Sequence, residues 1–262
     1  MADTYRPVPG SFCWMELATT DQGAAKAFYS ALFGWTAHDA PIGAEQFYTM
    51  LKLDGREAAA CYTMMADERS MGIPPHWNLY IAVENADASA ARAAELGGQV
   101  LAPPFDVMDA GRMAVIRDPG GAIFHIWQAN RHGGIRAASV PGAFCWADLN
   151  TGDAAAAGAF YSALFGWTIA PGENDPSGYL HISNGKTMIG GIPSAGQRDP
   201  NAPPHWMLYF QVADCDASAA KAGELGGRAL MPPLTLEGVG RFAVIADPQG
   251  AAFSLFTPAP RG

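Results

Sequence analysis

The chain has 262 residues, with 16 Lys or Arg against 25 Asp or Glu, a formal net charge of −9 at pH 7 and no basic run. This balance argues against nucleic acid and acidic membranes as partners. No apolar run approaches the roughly 18 to 20 residues of a membrane span, and the N-terminus lacks the basic and apolar regions of a signal peptide. We therefore expect a cytoplasmic protein whose cysteines are reduced thiols, since none forms a CxxC pair.

The first part of the chain predicts one β-α-β-β-β unit. Residues 11–18 alternate as a strand does, and residues 19–21 offer capping side chains for a helix that runs through Phe33. Gly34 suits the end of that helix. Three strands follow, and the hairpin signal Asp54-Gly55 separates the last two.

A second unit of the same kind follows the break at Pro74-Pro75. It comprises a strand over residues 77–83, a helix over about residues 87–96 and three more strands. Residues 118–121, with the sequence DPGG, form the predicted turn between the last two strands.

The second half of the chain repeats the first. The nine residues AFYSALFGW at 27–35 return unchanged at 159–167, and PPHW at 74–77 returns at 203–206. Such self-similarity indicates two homologous domains in tandem, each of about 130 residues and large enough for its own core. Domain 1 is predicted to span residues 8–130, the linker residues 131–140 and domain 2 residues 141–258.

The chain resembles the vicinal oxygen chelate superfamily, which includes glyoxalase I, bleomycin- and fosfomycin-resistance proteins and extradiol dioxygenases. Both halves carry the order strand, D-x-x-x-A-x-x-FYxxLFGW helix, hairpin, strand, helix ending in LGG, and DPxG hairpin. The W-x-[ED]-L opening and the PPHW segment are most similar to tandem-domain glyoxalase-like members. The resemblance implies an α+β fold in which paired βαβββ modules in each half form a curled half-barrel sheet. It also implies a cup that holds a divalent metal and a small ligand.

The metal ligands that the resemblance implies fall on unsuitable residues. Those positions lie on the first, fifth and last strands of each half, and here they hold Trp14, Asn78 and His125, then Trp146, Met207 and Ser254. Indole has no lone pair to give, thioether is soft and amide oxygen is weak, so neither half offers the hard ligands of Zn²⁺, Ni²⁺ or Fe²⁺. We expect no metal at the usual position, and a divergent divalent-metal site is the alternative.

Period-2 alternation turns one set of side chains in each half toward the implied cup. In the first half these candidate ligand-binding residues are Trp14, Glu16, Asn78, Tyr80, His125 and Trp127. In the second half they are Trp146, Asp148, Met207, Tyr209, Ser254 and Phe256. Aromatic walls with a few polar anchors are typical of a small-molecule site.

Glu16 and His125 are the candidate catalytic residues. Glu16 is a proton-transfer group, a ligand anchor, or a structural carboxylate held by backbone N–H groups or an arginine such as Arg112. The acid Asp148 at the repeat position favours the structural role. His125 is either functional or a hydrogen-bonded strand residue, whereas His132 carries no visible signal.

Three functions compete for this sequence. The first is a metal-free protein that binds a small aromatic or carbonyl-containing molecule, in detoxification or resistance. The second is an enzyme of the superfamily, a glyoxalase-like lyase, an isomerase or a hydroxylase-type oxygenase. The third is a non-enzymatic scaffold in which the fusion builds an intramolecular pseudo-dimer, so that one chain acts as a monomer.

Overall fold

The chain folds into two copies of one succession of strands and helices. The structure, a computed structural model, describes residues 6–44, 46–173, 175–199 and 201–260. Within them the first copy comprises β1 (Phe12–Thr19), α1 (Gln22–Phe33), β2 (Thr36–Gly43), β3 (Gln46–Leu53), β4 (Arg56–Thr63), α2 (Ala66–Ser70), β5 (His76–Ala82), α3 (Ala86–Glu95), β6 (Gln99–Val107), β7 (Gly111–Arg117) and β8 (Ile123–Ala129). The second copy comprises β9 (Phe144–Asn150), α4 (Ala154–Phe165), β10 (Thr168–Pro171), β11 (Leu180–Asn184), β12 (Thr187–Ile192), β13 (His205–Gln211), α5 (Cys215–Glu224), β14 (Arg228–Leu236), β15 (Gly240–Ala246) and β16 (Ala252–Pro258).

Each copy builds one mixed sheet from two β-α-β-β-β modules. The strand order is β2-β3-β4-β1-β5-β8-β7-β6 in the first sheet and β10-β11-β12-β9-β13-β16-β15-β14 in the second. The first strand of a module pairs in parallel with its last, as β1 does with β4 and β5 with β8. Among the described strands neither order closes into a barrel. The predicted α+β fold with paired modules is confirmed.

The helix ends follow the predicted capping chemistry. Asp21 accepts a hydrogen bond from the backbone N–H of Ala24 at 2.9 Å, which satisfies a donor in the first turn of α1. Gly34 ends the helix with φ of +76°, a left-handed conformation that glycine adopts without steric cost. Asp153 and Gly166 repeat both features around α4. The repeated nonamer therefore forms the same helix twice.

Two features differ from the predictions. The short helix α2 was not predicted; it forms because the Glu68 side chain accepts a hydrogen bond from the Met65 N–H at 2.6 Å. Strand β6 continues past the predicted residue 101 to Val107, through Pro103 and Pro104. Proline is tolerated there because β6 lies at the edge of its sheet, where a missing backbone N–H breaks no ladder.

The described residues group into two compact units, each of which draws on both halves of the sequence. The first compact unit comprises residues within 6–14, 78–134 and 147–207. The second comprises residues within 15–77, 135–146 and 208–260. The domain bounds drawn from the sequence repeat stay a prediction.

A buried hydrogen-bond chain joins the repeated motifs inside the second compact unit. The Trp77 indole N–H of the PPHW motif donates to the Tyr29 hydroxyl at 3.1 Å. That hydroxyl donates to Asp247 Oδ2 at 2.9 Å, and Asp247 belongs to the DPxG turn. Asp247 Oδ1 also accepts from backbone N–H groups of its own turn, including that of Ala251 at 2.9 Å. The chain therefore satisfies a buried carboxylate with donors from distant parts of the sequence.

The first compact unit contains an equivalent hydrogen-bond chain, formed by the residues that the sequence repeat relates to those of the second. Trp206 donates to the Tyr161 hydroxyl at 3.1 Å, and Tyr161 donates to Asp118 Oδ2 at 3.0 Å. Burial raises the pKa of the Asp118 carboxyl and that of the Tyr161 hydroxyl. Residues of the most strongly repeated motifs therefore form buried hydrogen bonds in the cores of the units.

The four cysteines carry free thiols, as predicted. Burial raises the pKa of Cys61 to about 11 and that of Cys145 to about 12, so both stay protonated at neutral pH. In the described part of the chain, no helix combines the length and the apolar character needed to cross a membrane.

Candidate ligand-binding site

The first compact unit brings four of the predicted site residues together. Tyr80 on β5 lies opposite His125 on β8 in the parallel ladder, and their rings meet edge to face at 4.4 Å between centroids. Trp127, two residues further along β8, lies 6.3 Å from Tyr80. Trp14 lies in the same unit, and all four side chains are buried. The polar anchor of this surface, the His125 imidazole, is therefore set among aromatic rings.

His132, which was not among the predicted site residues, joins this aromatic surface. Its ring meets Trp14 edge to face at 4.4 Å, and its carbonyl oxygen accepts from the Trp127 indole N–H at 2.9 Å. Gly134, at φ of +102°, permits the close approach, because a Cβ there would collide with the Cys13 carbonyl oxygen. The signal that could have indicated this contact is the pair Gly133-Gly134, which marks a backbone that approaches another segment closely.

The two remaining candidates of the first half, Asn78 and Glu16, lie in different compact units. Asn78 belongs to the first compact unit and is buried, and the Tyr80 hydroxyl donates to the Met113 sulfur at 3.8 Å. Glu16 belongs to the second compact unit, where its Oε2 accepts from the Tyr48 hydroxyl at 2.8 Å. Only 7% of Glu16 is exposed.

The proposed partnership of Glu16 with Arg112 is wrong. The Arg112 guanidinium donates to both oxygens of Asp87 at 2.8 and 2.9 Å and to Asp106 at 3.0 Å. Sequence reasoning missed these partners because Asp87 starts a helix and Asp106 lies on a neighbouring strand, so only the folded sheet brings them near Arg112. This ion pair holds the pKa of Asp87 below its usual range.

Both halves hold their inward acid with a tyrosine. Asp148 in the first compact unit accepts from the Tyr179 hydroxyl at 2.6 Å, as Glu16 accepts from Tyr48 in the second. A hydroxyl donor contributes to satisfying a buried carboxylate. The recurrence of this bond favours a structural role for both acids; their part in ligand binding or catalysis stays a prediction.

The second half places its candidate residues in a different environment. In the second compact unit Tyr209 on β13 lies opposite Ser254 on β16, and Tyr209 lies 6.2 Å from Phe242. Phe242 in turn pairs with Phe256 across the antiparallel ladder. Ser254 is fully buried, whereas Trp146, Tyr209 and Phe256 are part-exposed. Met207, in the first compact unit, is also part-exposed.

The donor groups at the implied metal positions do not fit a divalent metal. Trp14 and Trp146 have no lone pair to donate, Met207 and Ser254 are poor ligands for a hard cation, and His125 supplies the only imidazole of the six positions. Among the described residues, no cluster of three or more His, Cys, Asp and Glu has the arrangement of a metal site. These positions offer ring faces with isolated polar groups instead.

Comparison with known proteins identifies the two sequence halves with related families. Residues 11–126 match the family model of the Glyoxalase/Bleomycin resistance protein/Dioxygenase superfamily, and residues 146–256 match that of the Glyoxalase-like domain. The chain is 44% identical over 254 residues to "Putative glyoxylase CFP32" of Mycobacterium tuberculosis, covering 95% of each chain. It is 35% identical over 264 residues to the anthracycline biosynthesis protein DnrV of Streptomyces peucetius, covering 95% of this chain and 94% of DnrV.

A solved structure shows the same fold at low sequence identity. The Mn(II)-bound glyoxalase from Novosphingobium aromaticivorans superposes with a TM-score of 0.64 and 14% identity, over 95% of this chain and 82% of that one. At this identity the likeness concerns the fold and leaves the chemistry of the site to the residues themselves.

Proposed function

Because the chain belongs to the glyoxalase/bleomycin resistance protein/dioxygenase superfamily, we propose that it binds a small organic molecule against an aromatic strand face. Binding requires no metal at the superfamily's usual position. The protein acts in the cytoplasm, in detoxification or resistance. One observation carries the proposal: rings and isolated polar groups stand at the positions where the resemblance places metal ligands.

The chemistry of these faces favours a planar ligand with aromatic and carbonyl groups. Edge-to-face ring contacts such as that of Tyr80 with His125 are the geometry in which aromatic groups attract one another beyond simple burial. The name of DnrV, an anthracycline biosynthesis protein, supports a polycyclic aromatic ligand. A soluble probe of this chemistry is 9,10-anthraquinone-2-sulfonate.

Native mass spectrometry tests the proposal directly. The purified protein is measured before and after addition of Zn²⁺, Ni²⁺ or Fe²⁺, and separately after addition of the anthraquinone probe. We expect a saturable adduct of the probe and no retained stoichiometric metal. A stoichiometric metal that the His125→Ala variant loses would contradict the metal-free proposal. Absence of saturable binding by any aromatic probe would contradict ligand binding altogether.

The name of CFP32 supports an enzyme as the second candidate. In a glyoxalase-like lyase, His125 of the first compact unit and Glu16 of the second would each be a candidate proton-transfer group of its own unit. Consumption of 2-oxoaldehydes by the wild-type protein and by a Glu16→Gln/His125→Ala double variant separates the alternatives. Equal turnover by both proteins would remove these two residues from catalysis.

The composition of the compact units supports the pseudo-dimer as part of the proposal. Each unit draws its segments from both sequence halves, so neither half supplies a complete unit. Tandem fusion thereby supplies from one chain the two sets of segments that two identical subunits supply in a two-fold dimer.

A further inference from the structure

Three pairs of equivalent aromatic candidates differ in burial between the two halves. The sequence repeat relates Trp14 to Trp146, Tyr80 to Tyr209 and Trp127 to Phe256. All three residues of the first half are at most 5% exposed, whereas all three of the second half are part-exposed. The first aromatic surface is thus filled by its own rings, including that of His132, while the second is accessible at its rings.

One substitution between the halves changes the chemistry at the centre of this surface. His125 faces Tyr80 across the ladder between β5 and β8, and Ser254 faces Tyr209 in the same register between β13 and β16. A single hydroxyl therefore stands where the first half has a ring that fills the space beside tyrosine. Within the described part of the chain, the Ser254 hydroxyl is buried and has no hydrogen-bond partner.

An unsatisfied buried hydroxyl is costly and usually indicates a missing partner. Ser254 shares its strand face with Phe256, two residues along β16, and with Tyr209 on the neighbouring strand. Both of these rings are part-exposed, and the buried hydroxyl lies on the same strand face between their positions. Phe242, 6.2 Å from Tyr209, extends the same face.

We propose that the chain has one working ligand site, on the second half; this inference rests on the proposed function. Tyr209, Phe242 and Phe256 contact the aromatic ring of the ligand. Ser254 donates a hydrogen bond to the carbonyl oxygen of the ligand. We call this set of four residues the Ser254 face. A planar aromatic ketone supplies both complements: a ring edge for the three aromatic side chains and an acceptor for the hydroxyl. The equivalent surface of the first half is already occupied by His125 and His132.

Isothermal titration of the full chain with 2-acetylnaphthalene tests the inference. We expect one equivalent to bind to the wild-type protein. Ser254→His, which restores the ring found in the first half, is expected to weaken binding about tenfold or more because the imidazole fills the site. Ser70→His is the matched control, since Ser70 is exposed on α2, outside the Ser254 face. Far-UV circular dichroism establishes that both variants are folded.

A second variant examines the hydroxyl without adding bulk. Ser254→Ala is expected to weaken 2-acetylnaphthalene about fivefold while leaving 2-ethylnaphthalene, which has no carbonyl, unchanged. Two bound equivalents in the wild-type protein, or one that survives Ser254→His, would overturn the single-site inference and leave ligand binding intact. An unchanged ratio of the two affinities in Ser254→Ala would overturn the role of the hydroxyl. No saturable binding by the wild-type protein would overturn the inference together with the proposed function.

Discussion

Removal of the Tyr161 hydroxyl tests whether the repeated motifs are structural. In Tyr161→Phe the Asp118 carboxylate loses a donor at 3.0 Å and the Trp206 indole N–H loses its acceptor at 3.1 Å. Tyr161 is fully buried and Asp118 is 3% exposed, so water does not readily replace the hydroxyl. A hydrogen bond to a charged group contributes about 1.5 to 3 kcal/mol, and an unsatisfied buried donor costs about 1 to 3 kcal/mol. Since such terms are not additive, we expect the free energy of unfolding to fall by about 2 to 4 kcal/mol.

Urea denaturation followed by tryptophan fluorescence and circular dichroism measures this loss. Tyr29→Phe breaks the equivalent chain to Asp247 and should cost a similar amount. Thr36→Val is the control, because that hydroxyl is exposed and its removal should change stability by less than about 0.5 kcal/mol. If Tyr161→Phe and Tyr29→Phe both stay within that limit, the hydrogen-bond chains do not stabilise the fold and the motifs need another explanation.

Three further outcomes follow from the same contacts. Burial raises the pKa of Asp118 and Asp247 above the ordinary value of 3.8, so their protonation favours the folded state below that pH and the benefit is lost as pH rises through the folded pKa values. The stability of the wild type relative to an Asp118→Asn/Asp247→Asn variant should therefore fall as pH rises above about 4, as urea titrations at each pH would show; a constant difference would refute this. Gly134→Ala should lower the melting temperature by several degrees, because the added Cβ would collide with the Cys13 carbonyl oxygen. Gly152→Ala is the control, because open space surrounds that position. Equal melting temperatures of the two variants would refute the close approach. Residues 8–130 and 141–258 expressed separately should not unfold cooperatively as monomers, since each compact unit needs both; a monomeric, cooperatively unfolding half in calorimetry would refute this.

The sequence predicts the modules well because their signals are local. Asp21 and Gly34 bound a helix through contacts within a few residues, and Asp54-Gly55 makes a hairpin turn on its own. The partners of side chains are a different matter when the chain repeats itself. Tyr29 has two equivalent aspartates available in the sequence, Asp118 and Asp247, and only the folded chain shows that it binds Asp247. Repeated motifs fix the kind of bond and leave the choice of partner to tertiary structure.

The sequence predicts which side chains share a strand face, but it does not predict how deeply they are buried. Period-2 alternation assigns Tyr80 and His125 to one face of the first half, and Tyr209 and Ser254 to one face of the second. The cross-strand pairing of the two residues in each set is seen only in the folded sheet. Alternation gives no information on burial, which depends on segments that arrive from elsewhere. His132 illustrates this limit, since it reaches Trp14 from the predicted linker.

The pattern of identity and difference between the halves separates structure from ligand recognition. The residues of the hydrogen-bond chains, such as Tyr29 and Tyr161, are the same in both halves, and changing them would expose a buried carboxylate to an apolar core. His125 and Ser254 are also buried, but they differ between the halves. The half with serine at this position is also the half whose rings at the positions of Trp14, Tyr80 and Trp127 are part-exposed, which is the contrast that the Ser254 variants test.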